Sequence, residues 1–170
     1  MEVADTAIIG LPNYDMFVES AFSAMTFRGK TLEDWSEEIE FMDLYEGMPH
    51  QELKNYNFDF SNKSRIIMNN LAYARSSLKA CEMHYDAQVS QKKEAISRDF
   101  EISHPGARKP SIDAIKTMAE NQCMESLVAK NIAEMFLMFW QAQYEKVKII
   151  DSRLQGIGYL YGLEMRNTHV

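Results

Sequence analysis

The feature that most limits this chain is a proline-free apolar stripe between Ile112 and Met165, in which Ile132, Phe136, Phe139, Gln143, Val147, Ile150, Leu154, Ile157 and Tyr161 follow in steps of mostly three and four. That spacing keeps one face of a helix buried along its whole length. A helix through these 54 positions would reach roughly 80 Å at about 1.5 Å a residue. A rod that long needs an equally extended partner. Upstream, Ile67, Leu71, Ala74, Leu78, Cys81, Tyr85 and Gln88 repeat the spacing and predict a first long helix from about Asn62 to Ile102. Between the two, Ser103, His104, Pro105, Gly106, Ala107, Arg108, Lys109 and Pro110 form a concentrated breaker, after which Ser111 reads as a helix N-cap. So short a turn sets the helices antiparallel. The expected fold is all-α: a long antiparallel helical hairpin with N-terminal helices, oligomeric because the tail past about Ile150 would overhang its shorter partner.

Three segments are expected. Residues 1–30 read as an N-terminal arm, with a helix from Tyr14 to Phe27 stopped by Gly29 in a left-handed conformation. Residues 31–61 read as an acidic helix and linker: Thr31 caps a helix whose apolar face is Leu32, Trp35, Ile39 and Met42 or Asp43, ending near Gly47 to Pro49, and His50 to Asn62, whose alternation also suits a short strand, reads as an extended linker onward. Residues 62–170 form the long hairpin.

Composition narrows the class. Cys81 and Cys123 lie far apart among apolar neighbours and read as small core hydrophobes. The acidic opening carries nothing like a signal peptide, and the longest apolar run, Met135 to Trp140, is far short of the roughly twenty residues a membrane helix needs. A soluble intracellular protein is expected, with no membrane partner. The net charge of −7 is unevenly spread: residues 1–60 hold thirteen acids and three bases, residues 61–170 twelve acids and fifteen bases. A split of that kind often directs different partners to different segments, and an acidic solvated face with no specific role explains the charge run as well or better.

No phosphate-binding loop, nucleophile arrangement or paired-cysteine motif is present, so no catalytic residue and no cofactor is predicted. Glu101 and His104 make a single Glu-x-x-His, whereas a helical di-iron site needs two such motifs and two further glutamates; no metal is expected. Nucleic acid is the better-supported ligand. Arg75, Lys79, Lys92, Lys93, Arg98, Arg108, Lys109 and Lys116 are candidate phosphate contacts, most of them near the bend, with Tyr73, His84, Tyr85 and Phe100 as candidate stacking partners for unpaired bases. A mixed-charge solvated face explains the same residues as well. Near the C-terminus Gly156, Gly158 and Gly162 bracket Tyr159 and Tyr161. Each mid-helix glycine costs up to about 1 kcal/mol against alanine, but small residues allow close backbone approach, so Gly156, Gly162, Tyr159 and Tyr161 are the candidate subunit interface, with a kink or a fraying helix end as the equal alternative.

Over residues 31–166 the chain resembles the UvsY-type recombination mediators of tailed bacteriophages. The likeness runs through Leu32-Glu33-Asp34-Trp35-Ser36-Glu37-Glu38-Ile39, the lysine pair in Gln91-Lys92-Lys93-Glu94-Ala95, a glycine-containing turn, Ile149-Ile150-Asp151-Ser152-Arg153, and Glu164-Met165-Arg166. The resemblance implies a ring-forming helical protein in the host-cell cytoplasm that binds single-stranded DNA and helps a RecA-like recombinase displace single-strand binding protein. It assigns the lysine pair to Lys92 and Lys93, with Arg98 near the basic motif beyond. Ser97 and Asp99 depart from that motif, and residues 1–30 have no counterpart. The alternative from another class is a structural or host-protein-binding helical phage protein without DNA binding.

Overall fold

A computed structural model of the chain describes residues 24–45 and 47–167, with side chains described as far as Tyr161. The described chain is mostly helical, as expected of an all-α protein. It divides into two compact units, Met1–Met42 and Asp43–Val170.

In the first unit, β1 (Thr26–Phe27) and β2 (Lys30–Thr31) pair antiparallel, Thr26 opposite Thr31 and Phe27 opposite Lys30. Arg28 and Gly29 between them have φ of 52° and 84°. Positive φ at both central residues of a two-residue loop matches the right-handed twist of the strands it joins. Gly29 is therefore left-handed as expected, but as a hairpin turn rather than a helix end. Thr26 and Phe27 are strand rather than helix, and most of the helix predicted from Tyr14 lies outside the described residues. Helix α1 (Leu32–Glu38) starts in a complete capping box: the Asp34 amide donates to Thr31 Oγ1 at 3.0 Å and the Thr31 amide to the Asp34 carboxylate at 3.1 Å. Hydrogen bonding from the Thr31 side chain, and then from its amide, holds the Asp34 carboxyl below its ordinary pKa. Leu32, Trp35 and Ile39 are buried as predicted, and Trp35 Nε1 donates to the Phe27 carbonyl at 2.7 Å. Met42 is 61% exposed, and the helix stops well short of Gly47. Glu37, Glu38 and Glu40 crowd the end where the helix dipole is negative, which opposes further turns.

The second unit contains α2 (His50–Ser103), α3 (Ile112–Asn121) and α4 (Met124–Asn167). Residues 50–61 are not a linker. They are the first three turns of α2, entered from Pro49, whose missing N–H costs nothing at a helix start. Leu53, Tyr56 and Phe60 face inward in the same three-and-four spacing that continues through Ile67, Asn70, Leu71 and Ala74. The predicted return helix is also interrupted. At Gln122 the amide bonds shift to the carbonyls of Met118 and Ala119, and Cys123 N–H turns to Glu120 O. Neither proline nor glycine marks the spot.

Two rows with a seven-residue period meet along this unit. On α2 one row is Leu53, Phe60, Ile67, Ala74, Cys81 and Gln88; on α4 it is Ser126, Ala133, Trp140, Val147, Leu154 and Tyr161. Every one of these positions is buried or half-buried. A strict seven-residue repeat keeps one seam of each helix toward the other. The direction is set by named contacts: the Tyr161 hydroxyl donates to the Met48 carbonyl, Lys130 lies 5.7 Å from the Tyr85 ring, and the Ser126 hydroxyl donates to Gln88 Oε1 at 2.8 Å. As residue numbers rise on one helix they fall on the other. Nearer the bend, Val89, Ala119 and Cys123 form a small core with Tyr85 and Ile96 packed on it.

Trp140 is completely buried and stacks edge-on to Phe139 with ring centroids 5.1 Å apart. Trp140→Ala should cost about 3–5 kcal/mol, whereas Phe58→Ala, at a position 74% exposed, should be close to neutral in urea unfolding followed by circular dichroism. Tyr56 buries its hydroxyl without a hydrogen-bond partner among the described residues, and burial, ahead of the nearby Asp59 and Asp43, raises its pKa. Removing an unsatisfied buried group relieves its desolvation cost, so Tyr56→Phe should match or exceed the parent in the same measurement.

Candidate nucleic-acid interface

The bend between α2 and α3 follows from local chemistry. Gly106 takes a φ of 82°, a conformation that disfavours side chains, directly after Pro105. The His104 amide donates to Phe100 O at 2.9 Å, closing α2, and the two rings stack with centroids 4.9 Å apart. Ser111 Oγ accepts from the Ala114 amide at 3.2 Å and opens α3.

Around this bend the candidate cations project outward. Lys92, Arg98, Arg108, Lys109 and Lys116 are exposed, while Lys93 is half-buried. Lys109 pairs with Glu101 across the bend, and Lys116 lies 3.7 Å from Glu120 one turn on. Lys92, Lys93, Arg98 and Arg108 have no acidic partner among the described residues. Arg75 and Lys79 do not join them. Seventeen residues separate Arg75 from Lys92, which is roughly 25 Å along a helix, and Lys79 sits 3.8 Å from Glu82.

The proposed stacking residues also divide. Tyr73 is exposed. His84 is exposed with its Nε2 3.0 Å from Gln88 Nε2, Phe100 is occupied by His104, and Tyr85 belongs to the small core, where burial raises its phenol pKa. Glu101 is turned to Lys109 and His104 to Phe100, and among the described residues no group of three or more histidine, cysteine or acidic side chains converges on a metal position.

The C-terminal candidates separate in a way the sequence did not signal. Tyr161 faces inward, its ring 6.4 Å from His50 and its hydroxyl on the Met48 carbonyl. Tyr159 faces outward, 68% exposed. Gly156 is exposed, and a side chain added there would meet nothing within 4 Å. Gly162 lies in α4 beyond the described side chains. Gly156 and Tyr159, with Leu44, Tyr45, Arg153, Ile157 and Leu160, line a hollow of about 550 Å³. Tyr45 at its rim donates to Glu52 at 2.9 Å, a bond that raises the phenol pKa. Leu44 and Tyr45 lay in an expected helix–linker segment, so the hollow had no sequence signal. Among the described residues no helix is long and apolar enough to cross a membrane. No protein-family model, curated protein or solved structure matches the chain.

The hydrogen bond from Lys109, reinforced by its charge, holds the Glu101 carboxyl below the ordinary glutamate range. A depressed carboxyl contributes stability above its unfolded pKa and loses it as pH falls through the folded value. In a carbon-detected NMR titration Glu101 should therefore protonate at lower pH than it does in Lys109→Ala, and the bend should loosen only on the acid side of the normal carboxylate range.

Proposed function

We propose that the chain is a noncatalytic, single-stranded-DNA-binding recombination mediator that assists the loading of a RecA-like recombinase against single-strand binding protein. The observation that supports the reading is that Lys92, Arg98 and Arg108 are exposed and Lys93 half-buried on the approach to the bend and in it, none with an acidic partner among the described residues, and that Lys92 and Lys93 match the lysine pair of the family resemblance.

Charge arithmetic makes association part of the proposal. From residue 91 to 120 there are six bases and five acids, so one copy offers a net of a single positive charge for phosphates. Useful affinity then comes from repetition, as several weak patches held together act at high effective concentration. Most of the cations lie near or in the bend between α2 and α3, a placement that would let neighbouring copies present them side by side. Residues 1–60, with their ten-charge excess of acid, are repelled by DNA, and we assign them to contacts with the recombinase or the single-strand binding protein. The setting is the host cytoplasm during phage replication.

The alternative reading, a structural or host-protein-binding phage protein, draws on Ile102 and Ile112, which flank the same bend at 73% and 85% exposure.

Fluorescence anisotropy with a labelled single-stranded oligonucleotide across a salt series tests the proposal. Binding should weaken steeply with salt. Lys92→Ala with Lys93→Ala should weaken it further without lowering helical content. Glu101→Gln frees Lys109 and should tighten binding, steepening the salt slope by roughly one. Absence of binding at low salt would transfer the protein to the second reading.

A further inference from the structure

The inward seam of α4 leaves a second periodic row on its opposite side. Val128, Met135, Ala142, Ile149 and Gly156 recur every seven residues, beside an adjoining row of Met124, Asn131, Met138, Glu145, Ser152 and Tyr159, in which Met124 and Met138 stand four residues before Val128 and Ala142 and Tyr159 three after Gly156. Met124, Val128, Met138, Ile149 and Tyr159 are each at least half exposed and Met135 is 38% exposed. Among the described residues nothing demands Gly156, which weakens the helix, since a side chain added there would meet nothing within 4 Å.

The charges beside this stripe are sorted by position. Glu125 and Glu134 border its first half; Lys146, Lys148 and Arg153 border its second. Glu125, Glu134, Lys146 and Arg153 are exposed with no ion pair among the described residues, while Lys148 reaches Glu145 at 2.7 Å.

We propose that the outer face of α4 binds the same face of a second copy, running antiparallel about a two-fold axis near Met138–Ala142. In an antiparallel helix pair the flanking rows meet their own kind across the axis. One register then satisfies both flanks: Glu125 meets Arg153 of the second copy on one side, and Glu134 meets Lys148 on the other. The same register sets Met138 against Ala142 and Met124 against Gly156, a large side chain facing a small one, which gives the bare glycine its neighbour; Val128, Met135 and Ile149 face the polar Ser152, Glu145 and Asn131, whose polar ends reach the rim. Six apolar side chains offering roughly 100 Å² each would bury on the order of 1,200 Å² over two copies, the lower end of a stable interface. The parallel arrangement has no such match, because it brings like charges together at both ends.

This deepens the association step of the proposed function, and its test uses no DNA, so the two fail separately. Sedimentation equilibrium of the full chain should show a dimer or a larger even assembly. Met138→Glu should weaken association by about tenfold or more, as expected for a central interface residue, with the circular dichroism spectrum retained. Glu134→Lys alone should also weaken it, by setting lysine against Lys148, and Glu134→Lys combined with Lys148→Glu should restore it. A monomeric parent chain, or a double charge swap no tighter than the single, would overturn the proposal. Dimers that bind no oligonucleotide would remove the DNA reading and leave this interface standing.

Discussion

The seam between α2 and α4 is the constraint on which the second unit depends. Two helices of 54 and 44 residues cannot be stabilised by helix propensity alone, since a single extended helix in water gains little beyond its own hydrogen bonds. Burial of Phe60, Ile67, Ala74, Trp140, Val147 and Leu154 along one line supplies the missing free energy. The line is not uniformly apolar. Asn70 and Gln143 are buried in it, and Lys63 enters it with its ammonium 2.8 Å from Asp59. Polar groups at such positions penalise a slip of one helix past the other more than they add to stability, as polar seam residues do in coiled coils.

Much of this was written in the spacing of apolar residues, and the exceptions have specific causes. Phe139, Gln143, Val147 and Leu154 lie on the stripe the spacing predicts and are buried. Trp140 was missed because its row runs through Ser126 and Ala133, whose small or polar side chains carry little hydrophobic signal, although its period is strict. Residues 50–61 were obscured by the alternation of Tyr56, Phe58 and Phe60, in which only the first and last point inward. Pro49 signals both an ending and a beginning, and here it begins a helix. The turn at Gln122 and Cys123 rests on hydrogen-bond shifts between neighbouring carbonyls, which no residue type announces.

The candidate interface was legible to a similar depth. Exposed cations near a proline- and glycine-marked bend follow from the sequence, since lysine and arginine seldom leave water without a partner. Which of them remain available does not. That depends on Glu101 reaching Lys109 across the bend and on Tyr85 being drawn into a core with Val89 and Cys123, both products of where α3 lies on α2. The outer row of α4 could have been read directly, because its seven-residue period is as regular as the inner one.

The contacts of this unit also imply an order of assembly. Glu101 and Lys109 are 8 residues apart, Gln88 and Ser126 are 38 apart, and Met48 and Tyr161 are 113 apart. The entropy lost in closing a loop grows with its length, so pairing is cheapest at the bend and most demanding at the far end. A chain of this kind folds by zipping outward from Gly106 and frays in reverse. The ends that carry Tyr161 and Met48 are thus the last to close and the first to part.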